Sequence, residues 1–193
     1  GSATYSSQYA LDFSEVEGLK AYAATGYNTE SGEITMTRVK TTNAGDGIYL
    51  AGEPNTTYYV PFIDHSNNHS LNLLVGTLKK TMVNTYSDDG SYVNYRYGVA
   101  TGETTPKFFR YSDGSTCGAG KAYLQIPTAW FAGMASETVG IRFEEGELTD
   151  IDEVTDASVD ETIVYDLNGR RIADVDNLEK GIYIINGKKV LVK

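Results

Sequence analysis

Apolar and polar residues alternate with period two along several stretches of the chain. Leu19, Ala21 and Ala23 share one face, against Lys20 and Tyr22. Ile34 and Met36 face one way, and Thr35, Thr37 and Val39 the other. Arg38 falls on the Ile34 face, which predicts a bulge or a strand end beside it. Tyr58, Val60 and Phe62 oppose Tyr59, Pro61 and Ile63. Tyr95, Tyr97 and Val99 oppose Asn94, Arg96 and Gly98. Val139, Ile141 and Phe143 oppose Gly140 and Arg142, and Ile163, Tyr165 and Leu167 oppose Val164 and Asp166. Such alternation marks half-buried antiparallel strands. Turn signals separate the runs: Glu30-Ser31-Gly32, Ala44-Gly45-Asp46-Gly47, Asp88-Asp89-Gly90, Asp113-Gly114, Asn168-Gly169 and Asn186-Gly187. The pattern predicts an all-β fold, an antiparallel β-sandwich of jelly-roll or Ig-like type, with a short β-rich C-terminal tail. Helix is expected only as single turns, at Ser14-Glu15-Val16-Glu17 and from Pro127 to Gly133.

Length and charge divide the chain. Its 193 residues suit one domain, or one domain with a small appendage. The net charge of -10 is unevenly spread: residues 144–160 hold eight acids and no Lys or Arg. Residues 1–143 hold thirteen acids and ten bases, and residues 161–193 hold five acids and six bases. The expected organisation is a β-sandwich body (1–143), an acidic linker (144–160) and a β tail (161–193). The tail falls below the roughly 40 residues that an unaided fold needs. It is expected to pack on the body, because Ile182-Tyr183-Ile184-Ile185 would otherwise form an exposed apolar strand. Without clustered Lys and Arg, a nucleic acid is not an expected partner. No apolar run is long enough to span a bilayer. No signal peptide begins the chain, and Gly1-Ser2 reads as a cloning scar, so the natural N-terminus, with any export signal, is expected to lie outside the given sequence. The single cysteine, Cys117, has no partner thiol and reads as a structural thiol in a loop.

The tail carries three runs with a family likeness: Tyr165-Asp166-Leu167-Asn168-Gly169-Arg170-Arg171, Lys180-Gly181-Ile182-Tyr183-Ile184 and Gly187-Lys188-Lys189-Val190-Leu191-Val192-Lys193. Together they resemble the C-terminal segment of many exported and surface proteins of Bacteroidetes. They look like a shortened version of the last strands of the type IX secretion sorting domain. In the body the matching stretches are Ala10-Leu11-Asp12-Phe13 with Gly18-Leu19-Lys20-Ala21-Tyr22, and Ala44 to Leu50 followed by Thr57-Tyr58-Tyr59-Val60-Pro61. Phe108 to Gly114 followed by Ala119 to Leu124 completes the set. They resemble a domain of large surface proteins of gut Bacteroidales, some of which carry leucine-rich repeats. The resemblance implies an extracellular or cell-surface, outer membrane-associated location at the end of a longer protein. It supplies no catalytic or ligand residues.

Candidate chemistry is sparse. His65 and His69 stand four apart, a spacing that would present two imidazoles to a metal from a helix. Their surroundings, Asp64-His65-Ser66-Asn67-Asn68-His69, instead predict a solvated loop, and no metal site or cofactor is expected. Asp88-Asp89-Gly90 reads as a hairpin turn, and the EF-hand pattern is absent. No motif singles out a carboxylate pair, a nucleophile elbow or a phosphate loop, so no catalytic residue is assigned and no enzyme is expected. What remains is tyrosine. Tyr92, Tyr95 and Tyr97 interleave with Asn94 and Arg96, and rings beside amide and guanidinium groups can stack on sugars and bond their hydroxyls. These five are the candidate ligand-binding residues. The expected function is adhesion, display or end-capping of a larger surface protein, with carbohydrate binding as the alternative. A glycan- or peptide-cleaving enzyme ranks behind both. The fitting partners are a surface glycan, a host or bacterial protein, and upstream domains of the parent chain.

Overall fold

The computed structural model describes residues 1–66, 71–131 and 133–147, with the strand segments 164–165, 171–172, 181–185 and 188–192. The chain forms two compact units, Gly1–Asp152 and Glu153–Lys193. In chain order the strands of the first are β1 (Ser2–Ser6), β2 (Ala10–Asp12), β3 (Leu19–Asn28), β4 (Glu33–Val39), β5 (Thr41–Thr42), β6 (Gly47–Gly52) and β7 (Phe62–Ile63). They continue as β8 (Leu74–Thr77), β9 (Thr81–Val83), β10 (Tyr92–Val99), β11 (Pro106–Arg110), β12 (Ser115–Cys117), β13 (Lys121–Pro127) and β14 (Thr138–Glu147). The one helical turn in the described residues is a 3₁₀ turn, Thr128–Trp130, directly after Pro127. The fold is all-β, as the alternation predicts.

Nine strands form one sheet in the order β1-β6-β3-β4-β14-β11-β10-β13-β8. Every pairing in it is antiparallel except β4 with β14, which run parallel with Ile141 opposite Ile34 and Phe143 opposite Met36. The sheet winds nearly closed into a barrel-like sandwich. Its two ends meet through an Asp46–Val75 bridge and through Ser6 N donating to Gly120 O at 3.2 Å. Two glycines let the backbones cross there. A side chain at Gly76 would meet Gly45 O at 2.2 Å, and one at Gly47 would meet the Leu74 carbonyl at 2.8 Å.

Period two then sorts the core. Tyr22, Ile34, Met36, Tyr49, Tyr95, Phe108 and Leu124 point into the barrel. Their outward neighbours Leu19, Ala21, Ala23 and Val39 form a second apolar layer with Leu11 and Phe13, capped by the small sheet β5-β2-β7. A third cluster, Val83, Tyr111 and Cys117, lies at the two-stranded β9–β12 sheet. Full burial of each large side chain is worth about 1.5–3 kcal/mol. The bulge anticipated near Arg38 sits in the partner strand, where the β14 register slips between Phe143 and Glu147. Cys117 ends strand β12 and is buried with Val83 and Tyr111, which corrects its expected place in a loop. Tyr58 to Pro61 do not form the expected strand; only Phe62–Ile63 pair, at the edge of the small sheet. Strand β14 continues through residues 144–147, the start of the segment expected as linker.

The second unit holds β15 (Val164–Tyr165), β16 (Arg171–Ile172), β17 (Gly181–Ile185) and β18 (Lys188–Val192), in the order β16-β15-β17-β18 and antiparallel throughout. The Asn168-Gly169 and Asn186-Gly187 turns lie outside the described residues, as does most of the acidic segment.

Candidate functional site

Strand β10 carries all five expected ligand residues but does not present them together. Tyr95 is fully buried in the barrel, and its hydroxyl donates to Ser136 O at 3.0 Å. Burial pushes its phenol far above the ordinary range. Asn94 is buried on the opposite face. Its Nδ2 donates to Asn84 O at 3.0 Å and its Oδ1 accepts from Gln125 Nε2 at 2.9 Å. Tyr92 lies at the far end of the strand, opposite Pro127. Of the five, Arg96 and Tyr97 line one concavity together. Both faces of the strand are covered along its first half, so alternation there chooses between two interiors.

That concavity opens where β10 and β13 part. Their pairing ends at Tyr95 with Leu124. Past that point Ala122 N donates to Thr4 Oγ1 of β1 at 3.3 Å, while Arg96 and Tyr97 pair only with β11. The result is a cleft of about 460 Å³. Arg96 and Tyr97 line one side and Lys121 and Ala122 the other, with the buried Tyr111 and Cys117 at its base.

Each cleft side chain is positioned by an identifiable contact. The Arg96 guanidinium lies 5.1 Å from the ring centroid of Phe109, its cross-strand partner. Such a cation–π contact fixes a long side chain without neutralising it. Gly98, two residues on, leaves space: a Cβ there would stand 3.3 Å from Arg96 Nη1. The Tyr97 hydroxyl shares a 2.5 Å hydrogen bond with Ser2 Oγ, and its ring packs edge-on against Tyr49 at 5.5 Å. Burial, with the neighbouring Cys117, raises the Tyr111 phenol. Lys121 is exposed. Among its described lining residues the cleft offers two cations and several hydroxyls, and no carboxylate.

A second concavity of about 600 Å³ lies between residues 14–20 and 51–53. There Glu15, Glu17 and Glu53 face Lys20 and Arg38, so its charges largely offset one another. Exposed aromatic rings lie elsewhere again. Tyr9 and Phe62 form a tilted pair with centroids 5.5 Å apart, and Tyr59 is 88% exposed. Period two put Phe62 on a face with Tyr58 and Val60, but the strand begins only at Phe62 and Tyr58 to Pro61 lie outside it.

The turn acids are engaged by their own loops. Asp89 Oδ1 accepts from Ser87 Oγ at 2.6 Å and Ser91 N at 3.0 Å, and Oδ2 accepts from Ser91 Oγ at 2.8 Å. These bonds pull its carboxyl from the ordinary 3.8 to about 2. Asp113 is lowered by the Thr85 amide and hydroxyl. A carboxyl depressed in the folded state contributes stability that is complete above its unfolded value and lost as pH falls through the folded one. A side-chain NMR titration of Asp89 is therefore expected to show a midpoint near 2, and a Ser87→Ala/Ser91→Ala variant should return it towards 3.8.

His65 is exposed, while His69 lies outside the described residues. No cluster of three or more His, Cys, Asp or Glu among the described residues is arranged to hold a metal ion. Likewise no helix among them is long and apolar enough to cross a membrane. No family model matches the chain, and no curated protein or solved structure shows detectable similarity to it.

Proposed function

We propose that the protein is a non-catalytic module of an exported, surface-associated protein, serving adhesion, display or end-capping of a larger assembly. The observation that supports this most is that its exposed turn carboxylates Asp89 and Asp113 serve their own loops, accepting hydrogen bonds from Ser87, Ser91 and Thr85. Asp89 and Asp113 are held as anions by turn hydrogen bonds. Every buried side-chain nitrogen and oxygen among the described residues is also hydrogen-bonded, as in a scaffold. The surface location rests on the likeness of residues 165–171, 180–184 and 187–193 to Bacteroidetes surface-protein tails. Incubation with polysaccharide and peptide panels should release no products above a protein-free control. Sustained turnover that co-purifies with the protein would overturn the proposal.

Carbohydrate recognition is the second reading, and the β10–β13 cleft favours it. About 460 Å³ lies within the roughly 300–1,000 Å³ of small-molecule sites. The Tyr97 and Ser2 hydroxyls at its edge suit a polyhydroxylated ligand.

A further inference from the structure

We infer that the β10–β13 cleft takes an anionic sugar unit, one bearing a carboxylate or a sulfate. The inference rests on the carbohydrate reading above and narrows it. Its basis is a local inversion of charge. The chain carries a net charge of -10, yet the two charged side chains among the described residues lining this cleft, Arg96 and Lys121, are both cations. They stand on strands that have separated, Arg96 on β10 and Lys121 at the start of β13. No ion pair with a described residue engages either; the described ion pairs involve Lys107, Arg110 and Arg142.

The guanidinium is preorganised as well as unneutralised. Its carbon lies over the Phe109 ring at 5.1 Å, and Nη1 lies against Gly98, where a Cβ would stand 3.3 Å from it. A planar fork held this way can meet two oxygens of a carboxylate or sulfate at once, which a lysine cannot do. Lys121 supplies a second, mobile charge from the opposite wall. The hydroxyls of Tyr97, Ser2 and Thr116 lie around the same cleft and can donate to or accept from sugar hydroxyls. An acidic peptide would satisfy the cations but makes less use of this hydroxyl edge. The absence of a carboxylate among the described lining residues matters because an acid there would neutralise the Arg96 fork.

Calorimetric titration of the full chain tests this with four probes: an oligogalacturonate, a sulfated chondroitin disaccharide, a neutral galacto-oligosaccharide and a polyglutamate peptide. The expected result is that at least one of the two charged sugars binds and the neutral one binds at least about tenfold more weakly. Arg96→Ala should weaken that binding by about tenfold or more, the scale of one charge-assisted hydrogen bond. Lys121→Gln should do the same, and raising NaCl from about 0.05 to about 0.5 M should weaken it further. Both side chains are exposed, so unchanged melting temperatures will show that the variants fold. If the neutral sugar binds as well as the charged ones, the inference fails and the carbohydrate reading stands. If no sugar binds, both fail. Tighter binding of polyglutamate, or sugar binding indifferent to both substitutions, also overturns the inference.

Discussion

Gly76→Ala is expected to destabilise the first unit by about 3 kcal/mol or more, at the upper end of what overpacking costs. The added methyl would lie 2.2 Å from Gly45 O and 2.3 Å from Ser6 Oγ. The serine can rotate, but the Gly45 carbonyl is backbone, and the same segment forms the Asp46–Val75 bridge that joins the sheet ends. Relief therefore requires the two ends to separate. The cost is steric, because Gly76 does not have a positive φ. For a unit of this size, about 3 kcal/mol corresponds to a melting temperature lowered by roughly 6–12 °C. Gly133→Ala is the control, since nothing lies within 4 Å of a Cβ built there; it should stay within about 0.5 kcal/mol of the parent. Equal melting temperatures for the two variants would mean that the ends do not meet in solution.

Phe108→Ala is expected to cost about 3–5 kcal/mol by leaving a cavity in the barrel. Phe108 has no exposed surface, and its ring packs edge-on against Tyr97 at 5.8 Å. It sits mid-wall, opposite Tyr97 on β10 and Val139 on β14, so neither neighbour can collapse inward without breaking its own pairing. Urea unfolding should show a lower midpoint with an unchanged slope, the mark of lost stability with the same surface exposed on unfolding. Tyr59→Ala, at a site 88% exposed, should change little. A Phe108→Ala cost below about 1 kcal/mol would contradict a closely packed barrel interior.

The sequence made legible which residues share a face, though not what covers each face. Leu19, Ala21 and Ala23 do oppose Tyr22, and Ile34 and Met36 do oppose Val39. The break in pattern at Arg38 did mark a register slip, located one strand away in β14. Strand β10 shows the limit. Its alternation separated Tyr95 from Asn94 correctly, but the coverings on its two sides come from residues distant in the chain. Burial of Asn94 depends on Asn84 and Gln125, which no local pattern announces. Sheet order is similarly hidden: nothing in Ile34 or Ile141 says that β4 and β14 lie side by side and parallel. Glycine is the clearest case. Gly76 is visible in the sequence, but the Gly45 carbonyl it must clear is not.

Half of the proposed cleft was legible and half was not. Arg96 and Tyr97 stood out as polar and aromatic neighbours in a strand pattern. Lys121 did not, because the Ala119-Gly120-Lys121 stretch reads only as a turn entering a strand. Its role appears because β13 pairs with β10 only from Leu124 onward, so that Lys121, three residues earlier, lies across a gap from Arg96. The signal that would have found it is the shortage of acids near Arg96 and Lys121 in an acidic chain, weighed in three dimensions.

Recognition through the parted strands can be located directly by following backbone amide shifts in ¹⁵N NMR while a charged oligosaccharide is titrated in. The account predicts that the largest shifts fall on Arg96, Tyr97, Lys121 and Ala122, with Tyr9, Tyr59 and Phe62 unmoved. Shifts concentrated on the exposed Tyr9–Phe62 pair, or on the concavity at Glu15, Glu17 and Glu53, would contradict it.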